Sequence, residues 1–164
     1  IARQLDADLF ISVHADSIAD KRLRGATIYT LSDKASDEVA QAVAHNENLS
    51  DSIGGVEAGV VDEVVADILI DLTRRETMQY SVDIARTLVS ALKDKTKLIN
   101  NSHRSAGFKV LKAPDIPSVL VELGYLSNED DEKQITDPLW RKKIAGELAL
   151  AIRDHAQRTV AQQQ

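Results

Sequence analysis

Cysteine is absent from the 164 residues, which excludes thiol catalysis, disulfides and Cys-based zinc sites and leaves any metal site to His, Asp and Glu. An excess of basic charge is missing as well. Lys and Arg number 20 against 26 Asp and Glu, a formal net charge of -6, so no nucleic acid is expected as a partner. No apolar run reaches the roughly 18 residues of a membrane span. No Gly-x-Ser-x-Gly elbow surrounds Ser12 or Ser118, and no glycine-rich phosphate loop follows any apolar run, which sets aside serine hydrolysis and generic nucleotide binding. What is present is an apolar fraction of 43%, enough to bury the core of one domain.

The chain opens at Ile1 to Leu5 as the last turn of a helix, so upstream structure is expected. Asp8 to His14 follows at once, a β-branched and aromatic run that reads as an interior strand. A second strand is expected at Ala26 to Leu31, and a helix from about Ser36 to His45. Asn46 to Gly59 reads as a loop by composition. The spacing of Val61, Val64, Val65, Ile68, Leu69 and Leu72 predicts an amphipathic helix, and a separate helix is expected after Glu76 and Thr77. Gly107 to Leu111 and Ser118 to Leu123 are expected as the third and fourth strands. Ser127 with Asp130 suggests a capping box opening a short acidic helix. Asp137 and Pro138 open the last long helix, with Thr159 to Gln164 expected to fray. Strands interleaved with helices argue an α/β fold: a mixed twisted sheet flanked by helices, carrying a helical insertion.

Two strand ends carry reactive groups. Glu122 stands at the C-terminal end of a buried run, before a glycine turn, where open α/β sheets keep their ligands. His14 ends the first strand, and parallel neighbours would bring both to one edge. That pairing suits a metal-bound water with a carboxylate partner. The alternative is that both are hydrogen-bonded structural residues, and spacing alone does not decide. His45 and His155 are weaker candidates, and His103, amid Asn100, Asn101 and Ser102, reads as surface or as part of a substrate-binding loop.

Three segments carry a resemblance: Ser12-Val13-His14-Ala15-Asp16, Arg24-Gly25-Ala26-Thr27-Ile28-Tyr29-Thr30-Leu31-Ser32 and Pro117-Ser118-Val119-Leu120-Val121-Glu122-Leu123-Gly124-Tyr125-Leu126-Ser127-Asn128. In this order they resemble the zinc-dependent N-acetylmuramoyl-L-alanine amidases, over nearly the whole chain. The resemblance implies the zinc-amidase (phosphorylase/hydrolase-like) fold and peptidoglycan as substrate. It also implies zinc as cofactor, His14 as a metal ligand, Glu122 as the catalytic carboxylate and a periplasmic location. Residues 1–164 would then be the C-terminal major part of one catalytic domain. The family's His-Gly-Gly ligand and a following Glu precede the first of these segments and are not among the 164 residues.

A second resemblance lies in Glu47-Asn48-Leu49-Ser50-Asp51, Ile53-Gly54-Gly55, Ile70-Asp71-Leu72 and Thr77-Met78, which are similar to the cell-division branch of these amidases. It implies that residues 46–77 form a regulatory helical insertion that covers the zinc, with Glu47 as inhibitory ligand. A LytM-domain activator would displace it, and Val61, Val64, Val65, Ile68 and Leu69 are the candidate partner-binding stripe. Glu47 as a solvated helix cap is the alternative. For the whole chain, the rival is a non-catalytic wall-binding or divisome-interaction module that keeps the fold.

Overall fold

Four strands, β1 (Phe10–His14), β2 (Ala26–Leu31), β3 (Leu98–Ala106) and β4 (Ser118–Glu122), form one mixed sheet in the order β1-β4-β2-β3. The structure, a computed structural model, describes residues 2–53 and 66–162. All five residues of β4 are buried, as are five of the six in β2, because a central strand covered on both faces reads as a continuous apolar run. Phe10 N–H donates to Pro117 O at 2.9 Å and Leu123 N–H to His14 O at 3.0 Å, so β1 and β4 advance in the same direction. Ala26 N–H on Lys97 O and Ser32 N–H on Ala106 O make β2 and β3 parallel too. Between those two bonds β3 spends more residues than β2, and Asn101 within that stretch has a φ of 57°.

Among the described residues four helices accompany the sheet: α1 (Glu38–Ile53), α2 (Ala66–Leu92), α3 (Glu129–Thr136) and α4 (Pro138–Gln162). The chain divides into two compact units. One comprises Ile1–Ser12, Tyr29–Val82 and Arg104–Leu120. Within it Tyr29 and Phe108 meet with ring centroids 5.1 Å apart, and Asp37 both caps α1 through Ala40 N–H and pairs with Arg104 at 2.7 Å. The second comprises Val13–Ile28, Asp83–His103 and Val121–Gln164, with Ile84, Leu88, Leu92, Ile144 and Tyr125 fully or nearly fully buried.

Several expectations are corrected. Among the described residues β1 ends the strand order, where an interior strand was expected; its residues are mostly half-buried and Val13 is 57% exposed. The helix expected to stop at His45 continues to Ile53, leaving His45 exposed in its middle. Polar residues there cost little helix propensity, and Asn48 anchors the turn by donating to Gly107 O and accepting from Lys109 N–H. The expected break at Glu76 and Thr77 does not exist, since α2 runs through both; Ser81 Oγ returns to Thr77 O inside the helix. The third strand is Leu98–Ala106, and Lys109–Leu111 is a 3-10 turn. Its polar composition hid it, because the last strand of the order needs to bury only some of its side chains, here Ile99, Arg104 and Ala106. The cap of α3 is Asn128, not Ser127, and α4 stays helical to Gln162. Val61, Val64 and Val65 lie outside the described residues, and Ile68 and Leu69 fall on α2.

Candidate active site

β1 ends at His14 and β4 at Glu122, and because the strands are parallel neighbours both residues leave the sheet at one corner. Glu122 is fully buried, a costly place for a carboxylate unless hydrogen bonds replace water. One such bond is supplied by the chain leaving β1: Asp16 N–H donates to Glu122 Oε1 at 2.9 Å. The Asp16 carboxylate stands 3.7 Å from His14 Nδ1, and both side chains are about four-fifths covered, at 22% and 20% exposure. That distance is beyond a hydrogen bond and within electrostatic reach. The corner therefore gathers the His14 imidazole and the carboxylates of Asp16 and Glu122, and imidazole and carboxylate are donors of the kind zinc accepts.

The two exits are fastened to each other. Leu123 N–H donates to His14 O at 3.0 Å, Leu126 N–H to Asp16 O at 2.8 Å, and Ile18 N–H to Ser127 Oγ at 3.2 Å. Ser127 is thus spent on the β1 exit. Asn128 caps α3 instead, accepting from Asp130 and Asp131 N–H, a contact worth about 1 kcal/mol. Asp131, in the first turn of α3, is 3% exposed and accepts from Gly25 N–H at 2.7 Å and Tyr125 N–H at 3.0 Å. Arg24, paired with Asp130, approaches Asp131 Oδ1 at 3.6 Å. Asp131 escaped the sequence reading. The signal was there in Gly25 and Gly124, whose φ angles of 102° and 146° are open to glycine and strained for other residues.

Three further candidates take their places in the fold. Glu47 is a buried carboxylate on α1, 6% exposed. His103 lies in β3 and not in a loop; burial, with Arg86 adding to it, holds its pKa below the usual imidazole value. His155 in α4 meets Thr87 Oγ1 at 3.3 Å, and burial with Arg158 lowers its pKa against the opposing effect of Asp83.

A family model described as N-acetylmuramoyl-L-alanine amidase matches residues 1–154. The chain belongs to this family. Among curated amidases, AmiA of Salmonella typhimurium is 34% identical over 153 residues, 93% of this chain and 53% of that protein. AmiC of Escherichia coli is 34% identical over 93% of this chain and 36% of its own length. The chain thus spans about half, or less, of the curated amidases it matches. In fold it resembles AmiC2 of Nostoc punctiforme, with a TM-score of 0.60 at 18% identity over 96% of this chain and 62% of that one. It also resembles the CwlD amidase of Clostridioides difficile, solved in complex with the GerS lipoprotein, with a TM-score of 0.58 at 22% identity over 93% and 56% of the two chains.

Proposed function

We propose that this chain is the part of a zinc-dependent N-acetylmuramoyl-L-alanine amidase that supplies the proton carrier and one metal ligand. The substrate would be the amide between the lactyl group of N-acetylmuramic acid and L-alanine of the peptidoglycan stem, in an extracytoplasmic, periplasmic setting. The observation that carries this reading is the shared corner of β1 and β4, where His14 and the buried Glu122 are tied through Asp16 N–H. The donor set fits zinc: imidazole and carboxylate groups, and no thiol anywhere in the chain.

His14 would hold the metal. The Asp16 carboxylate, 3.7 Å from His14 Nδ1, would favour positive charge at this site electrostatically. Bound zinc supplies Lewis acidity, polarising the scissile carbonyl and making water acidic enough to attack near neutral pH. Glu122 takes the proton from the attacking water and returns it to the leaving amine of alanine. Its Oε1 is fixed by the Asp16 amide, so the carboxylate enters the reaction without a search over rotamers. In the full-length protein, Glu122→Gln is expected to keep zinc and lose muropeptide cleavage by about 100-fold or more, the scale of a lost general base. Wild-type turnover in that variant sinks the role.

The finer part of the proposal concerns regulation. Glu47 is assigned as an inhibitory zinc ligand by the resemblance of its surroundings to the cell-division amidases, and its burial on α1 is what an internally satisfied carboxylate would show. A LytM-domain activator engaging residues 46–77 would withdraw it; an amidase of similar fold, CwlD, has been solved in complex with a protein partner, the GerS lipoprotein. Glu47→Ala is expected to raise basal cleavage without activator. A folded variant with unchanged or lower basal activity counts against inhibition.

A further inference from the structure

Asp131 accepts two backbone amides from outside its own helix. At the third position after the Asn128 cap, a carboxylate would ordinarily reach back to the cap N–H. Here Asn128 N–H is taken by Tyr125 O at 2.9 Å, and Asp131 Oδ2 goes to Gly25 N–H, where β2 is entered, and Tyr125 N–H, where β4 is left. The approach is close enough to dictate sequence: a Cβ on Gly124 would stand 2.8 Å from Asp131 Oδ2. The segment thus held continues through Leu126 N–H to Asp16 O and is flanked by Leu123 N–H on His14 O. Asp16 N–H in turn holds Glu122 Oε1. The exit of β4 is gripped from one side by Asp131 and from the other by the exit of β1.

We propose that Asp131 is a positioning residue for the hydrolysis, fixing through Tyr125 and Gly124 the β4 exit on which the Asp16 amide and Glu122 carboxylate meet. The proposal rests on the reading of Glu122 as proton carrier. Asp131 touches neither substrate nor metal in this role. It acts by keeping the two strand exits in register, so that Glu122 Oε1 finds its donor.

The test uses the full-length, zinc-loaded protein and Asp131→Asn, which keeps the side chain's shape while removing one acceptor oxygen and the charge facing Arg24. Muropeptide cleavage and amide hydrogen exchange are measured together at a temperature where the variant is folded. The expected result is kcat lower by about 10- to 100-fold, the cost of a misplaced catalytic group. KM should stay within about twofold, since substrate contacts are untouched. Exchange should accelerate at Asp16 N–H as well as at Gly25 and Tyr125. A purely structural Asp131 would lower the melting temperature and leave folded-state kcat and Asp16 protection at wild-type values; that result overturns the proposal. If Asp131→Asn does not fold, Asn128→Ala loosens the same first turn more gently and is expected to lower kcat and Asp16 protection in parallel; neither changing overturns the proposal equally. Glu122→Gln is assayed alongside. An active Glu122→Gln overturns the reading of Glu122, whereas an inactive Glu122→Gln beside a fully active Asp131→Asn overturns the role of Asp131 alone.

Discussion

His14 and His103 are both partly covered imidazoles on strands of the same sheet, and their neighbours carry opposite charge. His14 looks at the Asp16 carboxylate across 3.7 Å, with Glu122 held on the amide of that same aspartate. His103 sits where burial and the Arg86 guanidinium both disfavour a proton. A guanidinium beside the ring repels a divalent cation, and a carboxylate beside it attracts one. A strand histidine's surroundings, its burial and the charge beside it, bear on whether it can serve a metal as much as the ring itself does. The sharpest way to break it is to remove each ring. His14→Ala in the full-length protein is expected to lose more than the roughly 10- to 100-fold in zinc affinity that even an outer-shell partner costs. His103→Ala is expected to retain zinc as wild type. Metal analysis after dialysis reads both, and equal loss in the two variants would end the distinction.

Asp16 sharpens the same contrast at a smaller scale. Asp16→Asn keeps the backbone N–H that holds Glu122 and removes only the charge facing His14 Nδ1. Zinc affinity is expected to fall by about 10-fold, the lower end for an outer-shell carboxylate, because the 3.7 Å contact is electrostatic and 20% exposed. Competition against a chelator measures it. A fall as large as that of His14→Ala would make Asp16 itself a ligand.

How much of this was legible before the fold is uneven for physical reasons. β2 and β4 were readable because buried central strands are rich in apolar and β-branched residues, whereas the meeting of His14 and Glu122 at one corner depended on β1 and β4 being parallel neighbours, which the sequence left open. β3 was not, because a strand paired on one side can carry Asn100, Asn101 and Ser102 without desolvating them fully. The continuation of α1 past His45 rests on Asn48 bonding Gly107 O and Lys109 N–H, residues about sixty positions away that no local window contains. Asp131 was missed for a related reason: its partners Gly25 and Tyr125 come from the edges of two other elements, and its neighbour Asp130 fitted the local capping pattern equally well. Glu122 could be found from its strand and glycine turn, while the groups that hold it in place could not.

The smallest effect lies with His103 and His155. Both have folded-state pKa values below the ordinary imidazole value of 6.5, His103 chiefly by burial and then Arg86, His155 chiefly by burial and then Arg158. The unfolded chain therefore binds protons more readily than the folded one as pH falls through 6.5, and stability declines over that window toward the depressed folded values. Above 6.5 both states leave the rings neutral and the contribution is constant. Thermal unfolding between pH 7.5 and pH 5 is expected to show this decline in the wild type and a flatter profile when His103 and His155 are both replaced by Gln. Arg86→Gln should act on one ring alone, raising the His103 pKa toward 6.5 in an NMR titration while His155 stays in place. Desolvation is the larger cause for His103, so the rise should be partial; a full return to 6.5 would mean that the arginine, and not burial, keeps this ring unlike His14.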